Sequence, residues 1–337
     1  MIRFATIGTN FVVEWFLQCA QKVEDLVYNG TYSRSFELGR EFAQKYNGNL
    51  VFDDLNELAR SEEIDAVYIA SPNALHYEQA KLMIEHRKHV LIEKTITSNK
   101  KELENLIKLA KDNDVVIMEA MRPVHDPGFF AIKRAMEKVA PVRRATFQYC
   151  QYSSRYDKFK NGIVENAFNP KFSNGSLMDI GVYCVHPMVK LFGMPEDIQA
   201  TATILPNSID GQGTIVCKYN DMMAEALYSK ITNSRLPSQI QGEKGAVIIE
   251  EIPNPRKITI IYNDGTKEKM DVPDCELNMI YEVEEWARLI KLGKFTDEHI
   301  QYSLTSLEIM DEARRQQGIK FPADKVVEAK EDCVNVE

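Results

Sequence analysis

Two short stretches of the chain carry side chains that could move a proton. In the first, Asp179, Tyr183 and His186 follow one another at intervals of four and three residues. On a helix, such intervals place side chains on one face. A carboxylate, a phenol and an imidazole on one face could orient a substrate and exchange a proton with it. The alternative is a core helix in which Tyr183 packs with its hydroxyl satisfied and His186, before Pro187, is structural.

The second stretch is the pair Glu93–Lys94, which stands at the carboxyl end of a strand predicted over residues 89–93. Ligands of open α/β sheets bind at that edge of the sheet. A lysine there could assist proton transfer, because a positively charged ligand bound beside it would disfavour the charged form of the lysine. A salt-bridged pair at the surface end of a strand is the alternative.

A tight turn, Gly8-Thr9-Asn10, lies between a strand predicted over residues 4–7 and a helix predicted over 11–23. Backbone amides and a helix N-terminus at such a turn can hold the pyrophosphate of a dinucleotide. Only the first glycine of the G-x-G-x-x-G pattern is present, with Asn10 and Val13 in the other two places. Asn10 could reach the left-handed region and cap the helix. An ordinary strand-to-helix turn is the alternative.

The second strand ends at Ser33 and Arg34, where dinucleotide sites that prefer NAD usually have an acid for the ribose hydroxyls. A hydroxyl and a guanidinium favour NADP over NAD, because Arg34 could pair with a 2′-phosphate in bidentate fashion. In the alternative interpretation Ser33 caps the next helix and Arg34 is a solvated residue of its first turn.

The pattern of predicted strands and helices that position these residues changes near residue 120. Before it, short apolar strands alternate with helices, which predicts a parallel sheet with covered faces. After a linking helix at residues 129–137, longer strands separated by turns such as Asp210–Gly211 predict a mostly antiparallel sheet. Helices are expected at residues 176–191, 278–291 and 302–317. On the second of these we expect a solvent-exposed charged face, made of Glu282, Glu284, Glu285 and Arg288.

The composition of the 337-residue chain is that of a globular protein, with 44% hydrophobic and 27% charged residues. A net charge of -9 argues against a nucleic-acid partner. The six cysteines form no C-x-x-C pair and none has metal-ligand spacing with a histidine, so we expect no metal. No signal peptide or membrane span is evident, which indicates a cytoplasmic protein with reduced thiols.

Five motifs, taken together, resemble the Gfo/Idh/MocA oxidoreductases over essentially the whole chain. They are Gly8-Thr9, Ala70-Ser71-Pro72-Asn73 with His76, Glu93-Lys94, Glu119-Ala120-Met121-Arg122, and Gly175 through Tyr183. The resemblance implies an α/β protein with a Rossmann-type dinucleotide-binding domain at residues 1–120, to which the linking helix could add. A domain at residues 121–337 would then bind substrate and form the subunit interface, in a homodimer or dimer of dimers, through its open sheet.

The resemblance also implies roles for individual residues. Lys94, Tyr183 and Asp179 would be catalytic, and Tyr183 is typical of the branch of glucose-fructose oxidoreductase and dimeric dihydrodiol dehydrogenase, where inositol dehydrogenase has a histidine. The cofactor, NADP or else NAD, would be bound by Gly8, Thr9, Asn10, Phe11, Ser33, Arg34, Ser71, Pro72, Asn73, His76, Glu93 and Lys94. The substrate would contact Arg122, Tyr152, Arg155 and Tyr183. Thr95 departs from the family, which has proline after this lysine.

The expected reaction is hydride transfer between nicotinamide and a hydroxyl or carbonyl carbon of a sugar, polyol or dihydrodiol. Tyr183 would exchange the hydroxyl proton, and Lys94 would supply the nearby positive charge that a phenol needs near neutral pH. Two alternatives remain open at this point. One is a dinucleotide-binding regulator without turnover, and the other is a family member that uses bound NAD during glycoside cleavage.

Overall fold

The computed structural model describes residues 1–325, which form two units, each with its own sheet. The first unit joins Met1–Arg122 to Cys275–Gln301, and the second joins Pro123–Asp274 to residues 302–325. No helix within residues 1–325 has the length and apolar content needed to cross a membrane. The five cysteines of this part of the chain are free thiols.

The first unit contains a parallel sheet of six strands, as the alternating pattern predicts. They are β1 (Ile2–Ile7), β2 (Leu26–Tyr32), β3 (Leu50–Phe52), β4 (Ala66–Ile69), β5 (His89–Glu93) and β6 (Ile117–Ala120). Their order is β3-β2-β1-β4-β5-β6, and every neighbouring pair is parallel. The direction of winding reverses between β1 and β4, and ligands of open parallel sheets bind beside such a reversal, at the carboxyl ends of the strands.

Five helices follow these strands, and a side chain caps the N-terminus of four of them. They are α1 (Phe11–Ala20), α2 (Phe36–Lys45), α3 (Leu55–Arg60), α4 (His76–Glu85) and α5 (Lys100–Asn113). Asn10 caps α1, Ser35 caps α2 and Asn99 caps α5, each accepting from backbone N–H groups of the first turn. The cap of α2 is thus Ser35, so the alternative interpretation of Ser33 as that cap is wrong.

The second unit contains an eight-stranded sheet that is antiparallel except where β7 and β10 pair in parallel. The strands are β7 (Val142–Cys150), β8 (Asp197–Ile204), β9 (Asp210–Lys218), β10 (Met223–Ser229), β11 (Ser238–Gly242), β12 (Gly245–Ile249), β13 (Ile258–Tyr262) and β14 (Lys267–Lys269). Their order is β14-β13-β12-β11-β7-β10-β9-β8, which confirms the mostly antiparallel sheet.

One face of this second sheet is covered by α6 (Pro127–Val139) and α8 (Val182–Phe192), while α7 (Ser154–Lys160) follows β7. The covered face buries Phe147, Ile215, Ala226, Ile240 and Val247. Their neighbours along the strands point to the opposite face and are half-buried: Thr146, Val216, Glu225, Leu227 and Ile248. The open face is therefore a mixture of polar and aliphatic side chains.

Two helices close the described chain, α9 (Ile280–Lys291) and α10 (Ile300–Gln317). Helix α9 belongs to the first unit, whereas the expected boundary assigns residues 121–337 to one domain. The reason is apolar burial: Trp286 packs edge-on against Phe4 and Phe16, in the core of the first unit. The indole of Trp286 is fully buried there, so α9 completes the cover of the parallel sheet.

Candidate functional site

The turn after β1 brings the backbone close to the end of β4. Gly8 has a φ of 115°, and a Cβ at this position would lie 3.1 Å from the carbonyl oxygen of Ala70, so a larger residue would be strained in two ways. Asn10 Nδ2 donates to the same carbonyl oxygen at 3.1 Å. Its Oδ1 accepts from the N–H groups of Val12 and Val13 at 2.9 and 3.2 Å. Asn10 therefore fills the second-glycine place as a cap that ties α1 to β4.

Ser33 and Arg34 lie between the end of β2 and the start of α2. Ser33 donates its N–H to Phe52 O at 3.0 Å, and its Oγ accepts from Ser35 N at 3.3 Å. Arg34 is exposed and precedes the first turn of α2. Phe11, the first residue of α1, is also exposed. Arg34 thus follows the carboxyl end of β2 at an exposed position, on the edge of the sheet where an adenosine phosphate would be held in a dinucleotide site.

The segment after β4 is held from behind by a buried histidine. His76 Nε2 lies 2.8 Å from Ser71 O, and its Nδ1 lies 3.1 Å from Thr95 O. Burial lowers the pKa of His76 to about 4, so the ring is neutral and donates only one of these bonds. Since His76 is fully buried, it joins the Ser71 and Thr95 segments and does not present its ring to a ligand, in contrast to the cofactor contact expected for it.

The pair Glu93–Lys94 lies at the carboxyl end of β5, as expected. The Tyr68 hydroxyl contacts Glu93 Oε1 directly, and the peptide bond between Lys94 and Thr95 is cis. Burial raises the pKa of Glu93, opposed by the Tyr68 hydroxyl and by the positive charge of Lys94. Lys94 itself is half-buried. The Lys94 ammonium is therefore close enough to the Glu93 carboxylate to oppose the rise of its pKa.

The sequence predicts that Glu282, on helix α9, is exposed to solvent. Glu282 is fully buried, so the predicted charged face of α9 is wrong at this position. Glu282 stands four residues before Trp286, so it lies on the same side of α9 and is buried with that indole. Burial raises the pKa of Glu282 well above its usual range, and the negative charges of Glu93 and Glu119 add to this rise. Glu119 Oε1 accepts from Ile96 N at 3.0 Å.

In the second unit, Asp179 and Tyr183 lie in consecutive turns of different kinds. Residues Leu177–Gly181 form a π-helical turn that runs directly into α8, so the predicted helix begins with a wider turn. The Asp179 carboxylate contacts the ammonium of Lys230, which also donates to Ala167 O at 3.1 Å. The Tyr183 ring meets the Tyr149 ring edge-on at 5.8 Å. π-Helical turns of this kind are frequent at functional sites.

The start of the π-helical turn is held by Asp210, which the sequence indicates as a turn residue. It is instead the first residue of β9 and is fully buried. Its Oδ2 accepts from Leu177 N at 2.6 Å. Burial raises the pKa of Asp210 to about 6, opposed by backbone hydrogen bonds and by the charge of Lys230. The sequence indicates neither Asp210 nor Lys230 as part of a functional site, because neither lies in a motif.

The other expected substrate residues are engaged near α7. Tyr152 donates its hydroxyl to Asp157 Oδ1 at 2.7 Å and accepts from Lys160 Nζ at 2.9 Å. Arg155 is exposed, and its Nε lies 3.5 Å from Glu165 Oε2. His186 is buried, in agreement with a structural role. Within the second unit, the structure therefore gathers Asp179, Lys230 and their neighbours, whereas Arg155 pairs at the surface.

Comparisons with known proteins agree with the folds of both units. The sequence model described as an oxidoreductase family with an NAD-binding Rossmann fold matches residues 2–121. The model described as the GFO/IDH/MocA C-terminal domain matches residues 141–248. A 3-ketoreductase from Actinomadura kijaniata, solved with NADP and TDP-benzene, has a TM-score of 0.83 at 18% identity, covering 94% of this chain and 98% of that chain. At this identity the likeness is one of fold.

Two of the curated relatives that match in sequence illustrate the range of similarity. The scyllo-inositol 2-dehydrogenase (NADP(+)) IolU of Bacillus subtilis (strain 168) is 50% identical over 327 residues, which is 96% of this chain and 100% of the relative. The trans-1,2-dihydrobenzene-1,2-diol dehydrogenase of Danio rerio is 28% identical over 311 residues, which is 87% of this chain and 89% of the relative. Both match over nearly their whole length.

Proposed function

Because the chain belongs to the Gfo/Idh/MocA family of NAD(P)-dependent oxidoreductases, we propose that it is an NADP-dependent dehydrogenase of a cyclitol or a related polyol. One observation carries the choice of substrate: Tyr183 lies in the first turn of α8, directly after the π-helical turn that holds Asp179, in a chain 50% identical to a protein named scyllo-inositol 2-dehydrogenase. Bound NADP would accept the hydride from the CH–OH carbon. The protein's own residues bind, orient and exchange the proton.

Three features of the first unit fit a dinucleotide. The reversal of strand order lies beside the turn at Gly8, whose lack of a side chain permits its contact with Ala70. The N-terminus of α1 lies at that turn, and the positive end of its helix dipole favours an anion there. Arg34 is an exposed cation at the end of β2. We assign the 2′-phosphate to Arg34 and Ser33, which supports NADP over NAD.

The other cofactor contacts expected from the sequence follow as proposals. Thr9, Asn10 and Phe11 would lie along the pyrophosphate at the start of α1, and Ser71, Pro72 and Asn73 would line the edge after β4. Glu93 and Lys94 would face the nicotinamide end. His76 keeps the Ser71 and Thr95 segments in register and supports this edge indirectly.

In the proposed reaction Tyr183 removes the proton of the substrate hydroxyl on oxidation and returns it on reduction. A free phenol has a pKa of about 10, so this transfer needs a nearby cation near neutral pH. We assign that charge to Lys94, whose ammonium would also hydrogen-bond the substrate oxygen. Asp179 would orient the substrate. Arg122, Tyr152 and Arg155 are proposed as further substrate contacts.

We also propose a homodimer, or a dimer of dimers, through the open face of the eight-stranded sheet. Support comes from the half-buried aliphatic side chains Val216, Leu227 and Ile248 on that face, since apolar side chains at the centre of an exposed surface favour association. The five free thiols of the described chain support a reducing, cytoplasmic setting. The acidic surface supports a small-molecule substrate and no nucleic-acid partner.

The test is a substrate screen with the purified full chain. Binding of NADPH and NADH is titrated by fluorescence, and then scyllo-inositol, other inositols, sugars and a trans-dihydrodiol are offered with each oxidised cofactor. The proposal predicts tighter binding of NADPH and formation of NADPH with an inositol. Cofactor binding without turnover of any polyol or sugar would instead indicate a regulator. Tightly retained NAD with no net redox change would indicate glycoside cleavage.

A further inference from the structure

Lys230 is a buried lysine that the proposed reaction does not use. It directly follows β10, and 3% of its side chain is exposed. Its backbone is fixed on both sides, because Lys230 N donates to Gly211 O and Lys230 O accepts from Ser153 N, each at 2.9 Å. An ammonium is rarely buried unless a carboxylate or other acceptors compensate its charge.

The surroundings of the ammonium provide that compensation. Lys230 Nζ contacts the Asp179 carboxylate, donates to Ala167 O at 3.1 Å and lies 4.7 Å from the centre of the Phe168 ring. The carboxylate, the carbonyl and the ring together surround an ammonium whose side chain is almost fully buried. A lysine held in this way cannot reach out to a substrate, so it acts through Asp179.

Asp179 is the exposed member of this pair. Its side chain is 24% exposed, against 3% for Lys230, and it stands in the π-helical turn four residues before Tyr183. Contact with the Lys230 ammonium favours the ionised form of this carboxylate. An ionised carboxylate accepts hydrogen bonds and donates none. Asp179 therefore suits a substrate hydroxyl that donates, and Tyr183 is left as the group that exchanges the proton.

We propose that Lys230 is a positioning residue that holds the Asp179 carboxylate as the acceptor for a substrate hydroxyl next to the carbon being oxidised. This inference rests on the proposed function. The inference extends the proposed function by naming the substrate class, which is compounds with a vicinal diol, a group that inositols and dihydrodiols share. Asp210, which holds Leu177 at the start of the same turn, supports this geometry from its other end.

The test compares Lys230→Met, Lys230→Arg and Asp179→Asn in the full chain, with NADP and scyllo-inositol as the substrate. Lys190→Met is the matched control. Its ammonium also donates to a backbone carbonyl, Val124 O at 3.2 Å, and lies over the rings of Phe129 and Tyr302. All variants are first titrated with NADPH, and their melting temperatures are recorded.

The proposal predicts that Lys230→Met and Asp179→Asn each raise the KM for scyllo-inositol about tenfold or more, with a smaller fall in kcat and unchanged NADPH affinity. Lys230→Arg, which keeps the charge, should recover part of this loss. Lys190→Met should keep the parent KM. The double variant Lys230→Met with Asp179→Asn removes both charges, and its KM should equal that of Asp179→Asn alone, because the two act as one unit.

Three results would overturn the proposal. The first is a folded Lys230→Met protein with the parent KM, and the second is a double variant whose KM change is the product of the single changes. The third is an equal loss of kcat in Lys230→Met and Lys190→Met at unchanged KM, which would show a structural role only. If Lys230→Met does not fold, the double variant and Lys230→Arg decide by the same KM criteria. A parent enzyme that binds NADPH but oxidises no inositol or other diol is a different failure, because it refutes the proposed function and this inference falls with it.

Discussion

The carboxylate of Asp210 occupies the space beside Gly175 that a side chain there would need. A Cβ at Gly175 would lie 2.2 Å from Asp210 Oδ1, and the same carboxylate accepts the N–H of Leu177 at 2.6 Å. The lack of a side chain at Gly175 therefore lets a buried acid reach the first turn before Tyr183. This relationship connects a glycine of the family motif to the position of the proposed catalytic residues.

Gly175→Ala should destabilise the protein, because the methyl group would displace Asp210 from Leu177. We expect a loss of about 1–3 kcal/mol in the free energy of unfolding, the range of overpacked sites. Urea unfolding measures it. Gly162→Ala is the control, since Gly162 has a φ of 83° but nothing near its Cβ position. Its cost should be limited to about 1–2 kcal/mol of backbone strain, with substrate KM unchanged. A Gly175→Ala protein with the parent's stability and KM would refute this packing argument.

The pH dependence of stability should report Asp210. Its pKa in the folded protein is raised to about 6 by burial, above the value of about 3.9 in an unfolded chain. The folded state thus holds this proton more tightly, so the contribution of Asp210 to stability is largest below pH 4 and is lost as the pH rises through 6. Asp210→Asn removes the titration. The stability of the parent relative to this variant should fall by about 2 kcal/mol between pH 4 and pH 7. A difference that does not vary with pH would contradict the assignment.

Glu282→Gln should stabilise the protein at alkaline pH. Burial and neighbouring acids raise the pKa of Glu282 well above its usual range, so ionising it in the folded state is unfavourable and stability is lost as the pH rises. A glutamine keeps the shape without that charge. Urea unfolding at pH 6 and pH 9 should show a relative gain for the variant at pH 9. Glu284→Gln, at an exposed position of the same helix, should show no such gain. Equal responses of the two variants would count against the buried position of Glu282.

Arg34→Ala should weaken the binding of NADPH and leave that of NADH nearly unchanged. A charged hydrogen bond to phosphate contributes about 1.5–3 kcal/mol, so the Kd for NADPH should rise about 10- to 100-fold. Fluorescence titration of both cofactors measures the two affinities. Arg40→Ala provides a control, because Arg40 is an exposed arginine of the same helical region. Equal weakening of NADPH and NADH would place Arg34 away from the 2′-phosphate.

Most of the first unit could be predicted from the sequence. Strands β1, β2, β4 and β5 are short, largely buried segments that alternate with helices, and this pattern is typical of a parallel sheet with both faces covered. The sequence does not reveal β3, because Leu50–Phe52 is short and lies at the edge of the sheet. The sequence predicts helix α9 but not that it packs in the first unit. Its packing depends on the burial of Trp286 among residues that are distant along the chain.

The candidate site was less predictable than the fold. Motifs indicate Asp179, Tyr183 and Lys94, whereas Lys230 stands 51 residues from Asp179 along the chain and carries no motif. Glu282 has the same charge as the exposed acids beside it, and only its position on the buried side of α9 distinguishes it. Asp210–Gly211 is typical of a turn, yet the acid is buried at the start of β9. In each case the deciding contact is between residues that are distant along the chain and that the fold brings together, so local spacing does not encode it.

The most direct test of the central claim is the rate of hydride transfer in Tyr183→Phe. With scyllo-inositol and NADP, NADPH formation in a single turnover should fall about 100-fold or more, the usual contribution of an acid–base group. NADPH affinity should be unchanged. Tyr149→Phe, which keeps the ring that packs edge-on against Tyr183, is the matched control and should retain most of the rate. A Tyr183→Phe protein that forms NADPH at the parent rate would contradict the assignment of Tyr183 as the acid–base group.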